Sequence, residues 1–379
     1  MTMSVPRMNK IDAVIVIGAR PQLIKSAPLI KEILSRHKRI RLRIVHSGQH
    51  YDPEMSEIFF RELEIPSPSA NLHAGSGSHA MQTATIMKRL EGSLLKANPD
   101  LVLVPGDTNT TLAASLTAAK LHIPVAHIEA GLRSGDMTMP EEINRRLTDH
   151  CSTMLFAPTQ TSMSNLRREG LGKIAHLTGD TMVDTLKTAL PIVRARESSV
   201  LDRYGLQPQH YVLITLHRPS NVDDLKKLRE IELSLQELTS KLRIVFPVHP
   251  RTRARLVKLG HLETSQNSRI ALTRPKGYIE TLCLLENAAC LLTDSGGMQK
   301  EAFVLHVPCV TLRSTTEWPE TLARGANRLV TAPKRIPRAV LDAALDETLR
   351  KRIKGLRNPF GDGHASVRIA KIIESNLGC

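Results

Sequence analysis

The stretch "DLVLVPGDTNTTLAASLTAAKLHIPVAHIEAG", Asp100 to Gly131, decides the fold. "DLVLVPGD" is a short apolar run that reads as a buried strand. "TNTTLAASLTAAKL" has helical length and composition, and "IPVAHIEAG" is a strand again. Strand, helix and strand in this order make a crossover unit, and such units build a parallel sheet with helices on both faces.

Reading outward, the same grammar continues in both directions. Upstream, "AVIVIG" is a β-branched run, "ARPQLIKSAPLIKEIL" has helical spacing and "RLRIVHSG" is the next strand. Downstream, "DTMVDTLKTALPIVRARESSVLDRYGLQPQH" breaks the rhythm and reads as a helical crossover and linker. A second series follows: "YVLITLH", then the amphipathic "VDDLKKLREIELSLQELTSKL", then "RIVFPVH", "CLLTD", "SGGMQKEAFVL" and "PCVTL". The expectation is an α/β protein of two doubly wound, Rossmann-like domains with a cleft between them. The first spans 1–185 and is rejoined by a C-terminal helix at 364–379; 186–208 is a linker; the second spans 209–363. In such sheets ligands bind beyond the carboxyl ends of the strands. No internal repeat or low-complexity segment is visible.

Composition narrows the class. The 379 residues suffice for two domains, and 41% hydrophobic with 23% charged content is globular. No apolar run reaches the roughly 20 residues a bilayer demands. The N-terminal "MTMSVPRMNKIDAVIVIG" leads its short apolar run straight into Gly18, so a strand is expected there rather than a signal peptide, in a cytoplasmic protein with no membrane partner. Five cysteines form no CxxC pair and sit mostly among apolar neighbours, which argues against a metal site or a disulfide framework. The formal charge of +15 favours anionic partners, but the cations are spread over helices such as "KKLRE" and "LRKRIKGLR". One Trp, four Tyr and six Phe offer no stacking platform, so solvated helix faces are the plainer reading and no nucleic-acid partner is expected; a small phosphorylated substrate would explain a basic cleft equally well.

The chemistry sits at strand ends. In "TDSGGMQKEA", Thr293 to Ala302, Ser295, Gly296 and Gly297 turn from a strand into a helix whose free N–H groups suit a phosphate. "IGARPQLIK" repeats the theme with Gly18, Arg20, Pro21 and Lys25, and "LHRPSN" places His217 and Arg218 after a strand. Arg313 follows "CVTL". Arg20, Lys25, His217, Ser295 and Arg313 are therefore expected to converge on one diphosphate, although Lys25 and Arg218 also read as plain surface charges and His217 as a hydrogen-bonded structural histidine. Neither GxGxxG nor GxxxxGK[ST] occurs, which disfavours dinucleotide redox and P-loop enzymes. The acids lie in "VPGDTNTTLA" and "HIEAGLRSGDMTMPEEINRR". Asp107 ends a buried strand, and its bland reading is a helix N-cap. Glu129 ends another strand, where capping is a poorer account. Glu141 and Glu142 open a helix, four residues before Arg145 and Arg146.

Taken together, "GARPQLIKSAPL", "SGQHYD", "PGDTNTTLA", "HIEAGLRS", "PEEINRRLTDH", "TGDTMVD", "HRPSN", "TDSGGMQKEA" and "LRSTTEWPE" resemble the non-hydrolysing UDP-N-acetylglucosamine 2-epimerase family over nearly the whole chain. The resemblance implies the two-domain GT-B fold, a homodimer, a UDP-sugar substrate, and no metal or redox cofactor. It implies Asp107, Glu129 and Glu141 as acid–base groups. It also implies Arg20, Lys25, His217 and Arg313 around the diphosphate, with His217 in the catalytic set, Ser295, Gly296 and Gly297 as hydrogen-bond donors, and Glu301 on the ribose. Gln22, Ser220 and Asp180 depart from the family pattern. Gln49 and His50 match part of the family's allosteric site, but "NLHAGSGSHA" lacks its arginine. "GARPQ", "SGQHYD", "GSGSH", "QKEA", "PCVTLR" and "NPFGDG" are closer to the branch that epimerises UDP-2,3-diacetamido-2,3-dideoxyglucuronic acid. A hydrolysing epimerase and a GT-B glycosyltransferase are the rival chemistries.

Overall fold

A computed structural model describes residues 10–49, 53–259 and 269–378. The first sheet contains β1 (Ile11–Ile17), β2 (Ile40–His46), β3 (Ala70–Asn71), β4 (Leu101–Pro105), β5 (Val125–Ile128), β6 (Met154–Ala157) and β7 (Ala175–Leu177). The second contains β8 (Tyr211–Thr215), β9 (Arg243–Pro247), β10 (Ile270–Thr273), β11 (Cys290–Thr293), β12 (Cys309–Thr311) and β13 (Asn327–Leu329). Every pairing in both sheets is parallel. A parallel sheet covered on both faces buries both sides of its strands, so the strands read as continuous apolar runs. All five residues of β4 are buried, as are all four of β5.

The first sheet is ordered β3-β2-β1-β4-β5-β6-β7 and the second β10-β9-β8-β11-β12-β13. Each order reverses once, at the β1–β4 neighbours and at the β8–β11 neighbours. At these switch points the loops leaving adjacent strands part, and the space between them takes ligands in open α/β sheets. In register, Val14 pairs with Val102 and Leu291 with Leu213, so the loops at residues 18–20 and 106–108, and at 216–218 and 294–296, leave neighbouring strand ends.

The chain divides into two compact units. One holds the residues up to Thr188 and those from Pro359 onward, the other Ala189–Asn358. Residues 186–208 are largely helical, in Thr181–Ala195 and Glu197–Arg203, and the division falls within the first of these helices. The helix Ala365–Leu377 packs on the helix Arg20–Arg36 in the first unit. Asp184 caps it, accepting from the Ala365 and Ser366 N–H groups at 3.1 and 2.8 Å. Asp180 Oδ1 accepts from Met182 N–H at the start of Thr181–Ala195, a task its carboxylate performs as well as an asparagine would.

The helix Asn109–Lys120 positions the first switch point. Its Ala, Ser and Thr side chains let it pack closely between the helices His79–Ala97 and Pro140–Cys151. Ala113, Ala114 and Ala118 join Val14, Val16, Val102, Val104, Ile86 and Leu90 in one apolar core. Each fully buried Val or Leu contributes about 1.5–3 kcal/mol.

Candidate active site

In the first unit the site begins with the two loops at the β1–β4 switch. Gln22, one turn into its helix, accepts on Oε1 from the Gly18 and Ala19 N–H groups at 2.9 and 3.1 Å. Its Nε2 donates to the Pro105 carbonyl at 3.0 Å and to Thr111 Oγ1 at 3.1 Å. One buried amide thus joins the ends of both switch strands. A carboxylate could accept those N–H groups but could not donate to Pro105, which gives the Gln22 departure a physical basis.

Asp107 does not cap the helix that follows it. Thr108 does, accepting from Thr111 N–H. The capping reading of Asp107 fails because the next residue is also a preferred cap and sits at the position whose side chain meets the helix start. Asp107 is thereby released to pair with Arg145, whose Nη2 stands 2.6 Å from Oδ2, while Asn144 Nδ2 donates to the Asp107 carbonyl at 2.9 Å. Arg145 is 1% exposed, and its other arm reaches Glu142 Oε2 at 2.7 Å. Of the two i,i+4 pairs expected along this helix, Glu142–Arg146 forms at 3.0 Å. Glu141–Arg145 does not, because Arg145 turns to Asp107 and Glu142.

Glu142 is fully buried and accepts from the Ser134 N–H and hydroxyl at 2.8 and 3.0 Å. Burial alone would raise its carboxyl. The Ser134 donors and the Arg145 and Arg146 cations outweigh that and hold it below the usual glutamate range. Glu129 is 6% exposed and forms an ion pair with Lys25. Its φ is +72°, a left-handed backbone rare for a residue with a side chain. Gly106, at φ +71°, leaves room for that pair: a Cβ there would lie 3.4 Å from Lys25 Nζ and 3.7 Å from Glu129 Oε2. Glu141 is half-buried in the first turn of Pro140–Cys151, and among the described residues it makes no ion pair. Arg20 opens its helix with the guanidinium 5.8 Å from the Phe59 ring centre. Gln49 Oε1 accepts from the Thr110 hydroxyl at 2.6 Å; His50 lies outside the described residues.

In the second unit the β8–β11 switch is organised by Asp294, which the sequence reading passed over. It is fully buried and accepts from the His217 and Arg218 N–H groups at 3.1 and 3.0 Å and from Asn221 Nδ2 at 3.1 Å. His217 Nδ1 faces it at 3.2 Å. Burial pushes the Asp294 carboxyl up, but the His217 charge and these donors prevail and keep it below the usual aspartate range. With the Nδ1 proton directed at Asp294, Nε2 is the His217 nitrogen left for a ligand.

Ser295 precedes the helix Gly296–Val304, and its hydroxyl makes no cap hydrogen bond. The first N–H groups of that helix are the kind an anion satisfies. A Cβ on Gly296 would fall 2.0 Å from Glu317 Oε1, so the glycine also admits Glu317. Gly297 follows in the same turn. Glu301 lies one turn further along the helix and is buried, and Arg313 pairs with Glu317 at 2.8 Å. Thus Arg20, Lys25, Asp107, Glu129 and Glu141 gather in the first unit, and His217, Ser295, Gly296, Gly297, Glu301 and Arg313 in the second. Arg145, Gln22, Asp294 and Glu317 join them from the structure.

No helix among the described residues is long and apolar enough to cross a membrane. The family model described as UDP-N-acetylglucosamine 2-epimerase matches residues 32–374. A UDP-N-acetylglucosamine 2-epimerase homolog of Methanococcus maripaludis is 47% identical over 363 residues, 96% of this chain and 99% of its own. A UDP-2,3-diacetamido-2,3-dideoxy-D-glucuronate 2-epimerase of Pseudomonas aeruginosa is 43% identical over 365 residues, 94% of this chain and 98% of its own. The crystal structure of the Methanocaldococcus jannaschii UDP-GlcNAc 2-epimerase in complex with UDP-GlcNAc and UDP superposes with a TM-score of 0.87 at 43% identity, covering 96% of this chain and 99% of that one. On this evidence the chain belongs to the UDP-N-acetylglucosamine 2-epimerase family.

Proposed function

We propose that the protein interconverts UDP-N-acetylglucosamine and UDP-N-acetylmannosamine by inverting C2 of the sugar. No carbonyl adjoins C2, so its hydrogen is not acidic. A base removes it only as UDP departs from C1, leaving a 2-acetamidoglucal. Re-addition of UDP with protonation from the opposite face gives the epimer. This route asks for acids and bases around the ring and a cationic, N–H-rich site for the departing diphosphate.

The observation that carries the reading is the acid cluster of the first switch point. Asp107 and Glu129 each face a cation, and Glu141 carries its carboxylate without an ion pair among the described residues. Glu141 can take or give a proton without breaking an ion pair. In this reading Asp107, Glu129 and Glu141 serve C2. His217, Arg313, Ser295, Gly296 and Gly297, with Arg20 and Lys25, serve the diphosphate, and Glu301 the ribose. The family resemblance adds a homodimer, which the solution mass tests, and the sequence reading a cytoplasmic location.

A second substrate, UDP-2,3-diacetamido-2,3-dideoxyglucuronic acid, is supported by the Pseudomonas aeruginosa relative. Incubation with UDP-GlcNAc in D₂O, followed by NMR, separates the two. UDP-ManNAc with deuterium at C2 is the expected outcome. No exchange with UDP-GlcNAc, but exchange with the diacetamido uronate, transfers the assignment to the second sugar. Release of free N-acetylmannosamine would show a hydrolysing enzyme, and no exchange with either sugar sinks the epimerase reading.

A further inference from the structure

The charges of the first unit do not stop at Arg145 and Glu142. Arg146, paired with Glu142, also stands 3.6 Å from Glu169. Arg133 bridges Glu169 at 2.6 Å and Asp149 at 2.8 Å. Asp149 Oδ1 is 2.7 Å from His127 Nδ1, and His127 Nε2 is 2.8 Å from the Gly106 carbonyl oxygen. The path that leaves residue 107 through Arg145 therefore returns to residue 106 through His127. Its members His127 and Glu142 bracket the segment that carries Glu129 and Glu141, and Arg133 lies within it.

His127 and Asp149 have no exposed side-chain surface. Both ring nitrogens of His127 face oxygens. The Asp149 carboxylate also accepts from the Gly131 N–H at 3.1 Å and faces Arg133 at 2.8 Å. Asp149 thus holds His127 on one side of Glu129 and Gly131 on the other, each two residues away. Glu129 between them keeps its left-handed φ of +72°, which a residue with a side chain retains only when its surroundings hold it.

We propose that His127 is a positioning residue of the acid–base site. Its ring ties Asp149 to the Gly106 carbonyl and so fixes the turn against which Lys25 and Glu129 lie. This inference rests on the epimerase reading.

His127→Asn keeps a donor in place of Nδ1 and removes the Gly106 bond, whereas His127→Gln keeps a donor in place of Nε2. Each cuts the tie at one end, and each is expected to lower kcat about 100-fold with KM little changed, the cost of a roughly 1 Å misplacement. Wild-type kcat in either variant, or a loss carried by KM instead of kcat, overturns the positioning role. A wild-type chain that exchanges no C2 proton instead fails the epimerase reading.

Discussion

At the β1–β4 switch point the chain gathers side-chain charge; at the β8–β11 switch point it gathers backbone donors around one buried acid. The two sheets wind alike, each reversing its strand order once. In the first unit, carboxylates and cations alternate from Asp107 through Arg145 and Glu142. In the second, Asp294 spends its oxygens on the His217 and Arg218 N–H groups, while Ser295 leaves the following helix start uncapped by its side chain. On the proposed reading, the same topology makes a place to move a proton and a place to hold an anion. Function follows the residues at the loop ends, not the winding.

The largest test of that division is Glu141→Gln. It keeps the size of the side chain and removes the carboxylate. Deuterium exchange at C2 is expected to fall about 100- to 10,000-fold, the range for removal of a general acid or base. UDP affinity, measured by calorimetry, is expected to hold, because the proposed function gives Glu141 no part in holding the diphosphate. A parallel loss of UDP affinity would break the comparison.

Arg145→Leu tests the charge network next. It leaves Glu142 fully buried with one cation fewer and Asp107 without its 2.6 Å partner. Removing one partner of a buried pair costs about 3–5 kcal/mol, read by urea denaturation at neutral pH. The pH dependence has a definite sign. Glu142 in the folded chain titrates below its ordinary value of 4.5, so its stabilisation is present above that pH and is lost as pH falls through the folded value. The gap between wild type and variant is therefore expected to narrow below about pH 4. A gap that stays constant would show that Arg145 acts through packing alone.

Much of this was legible in the sequence, for reasons that also explain the rest. β1, β4, β5, β8, β9 and β11 are buried on both faces and announce themselves as apolar runs. β3, with two residues, and β7 and β13, with three, are too short and too polar to do so. The glycine turns and strand-end acids marked the switch points because the chain must leave a buried strand there and turn into a helix. What stayed hidden was partnership. Helical spacing assigned Arg145 to Glu141, but a long-range partner, Asp107, outweighed it. Asp294 meets His217 across 77 positions, and His127 meets Asp149 across 22. The one visible signal for the latter was a histidine in the middle of a strand buried on both faces, where both of its nitrogens must be satisfied.

Gln22→Glu is the finest test, because it alters one atom at the joint of the first switch point. The new carboxylate would still accept from the Gly18 and Ala19 N–H groups, but its second oxygen would face the Pro105 carbonyl where Nε2 now donates at 3.0 Å. A buried pair of acceptors in place of a hydrogen bond costs about 1–3 kcal/mol at neutral pH. Protonation restores a donor toward Pro105, so folding would raise the pKa of the introduced carboxyl above its unfolded value. The destabilisation is then full above the folded pKa and relieved as pH falls below the unfolded one, opposite in sign to the effect at Glu142. Denaturation of both chains at neutral pH and near pH 4 reads it. If the substitution costs nothing at either pH, the loops move apart to admit the charge. The placement of Lys25 against Glu129 would then owe more to Gly106 and the surrounding ion pairs than to the amide that joins the two strands.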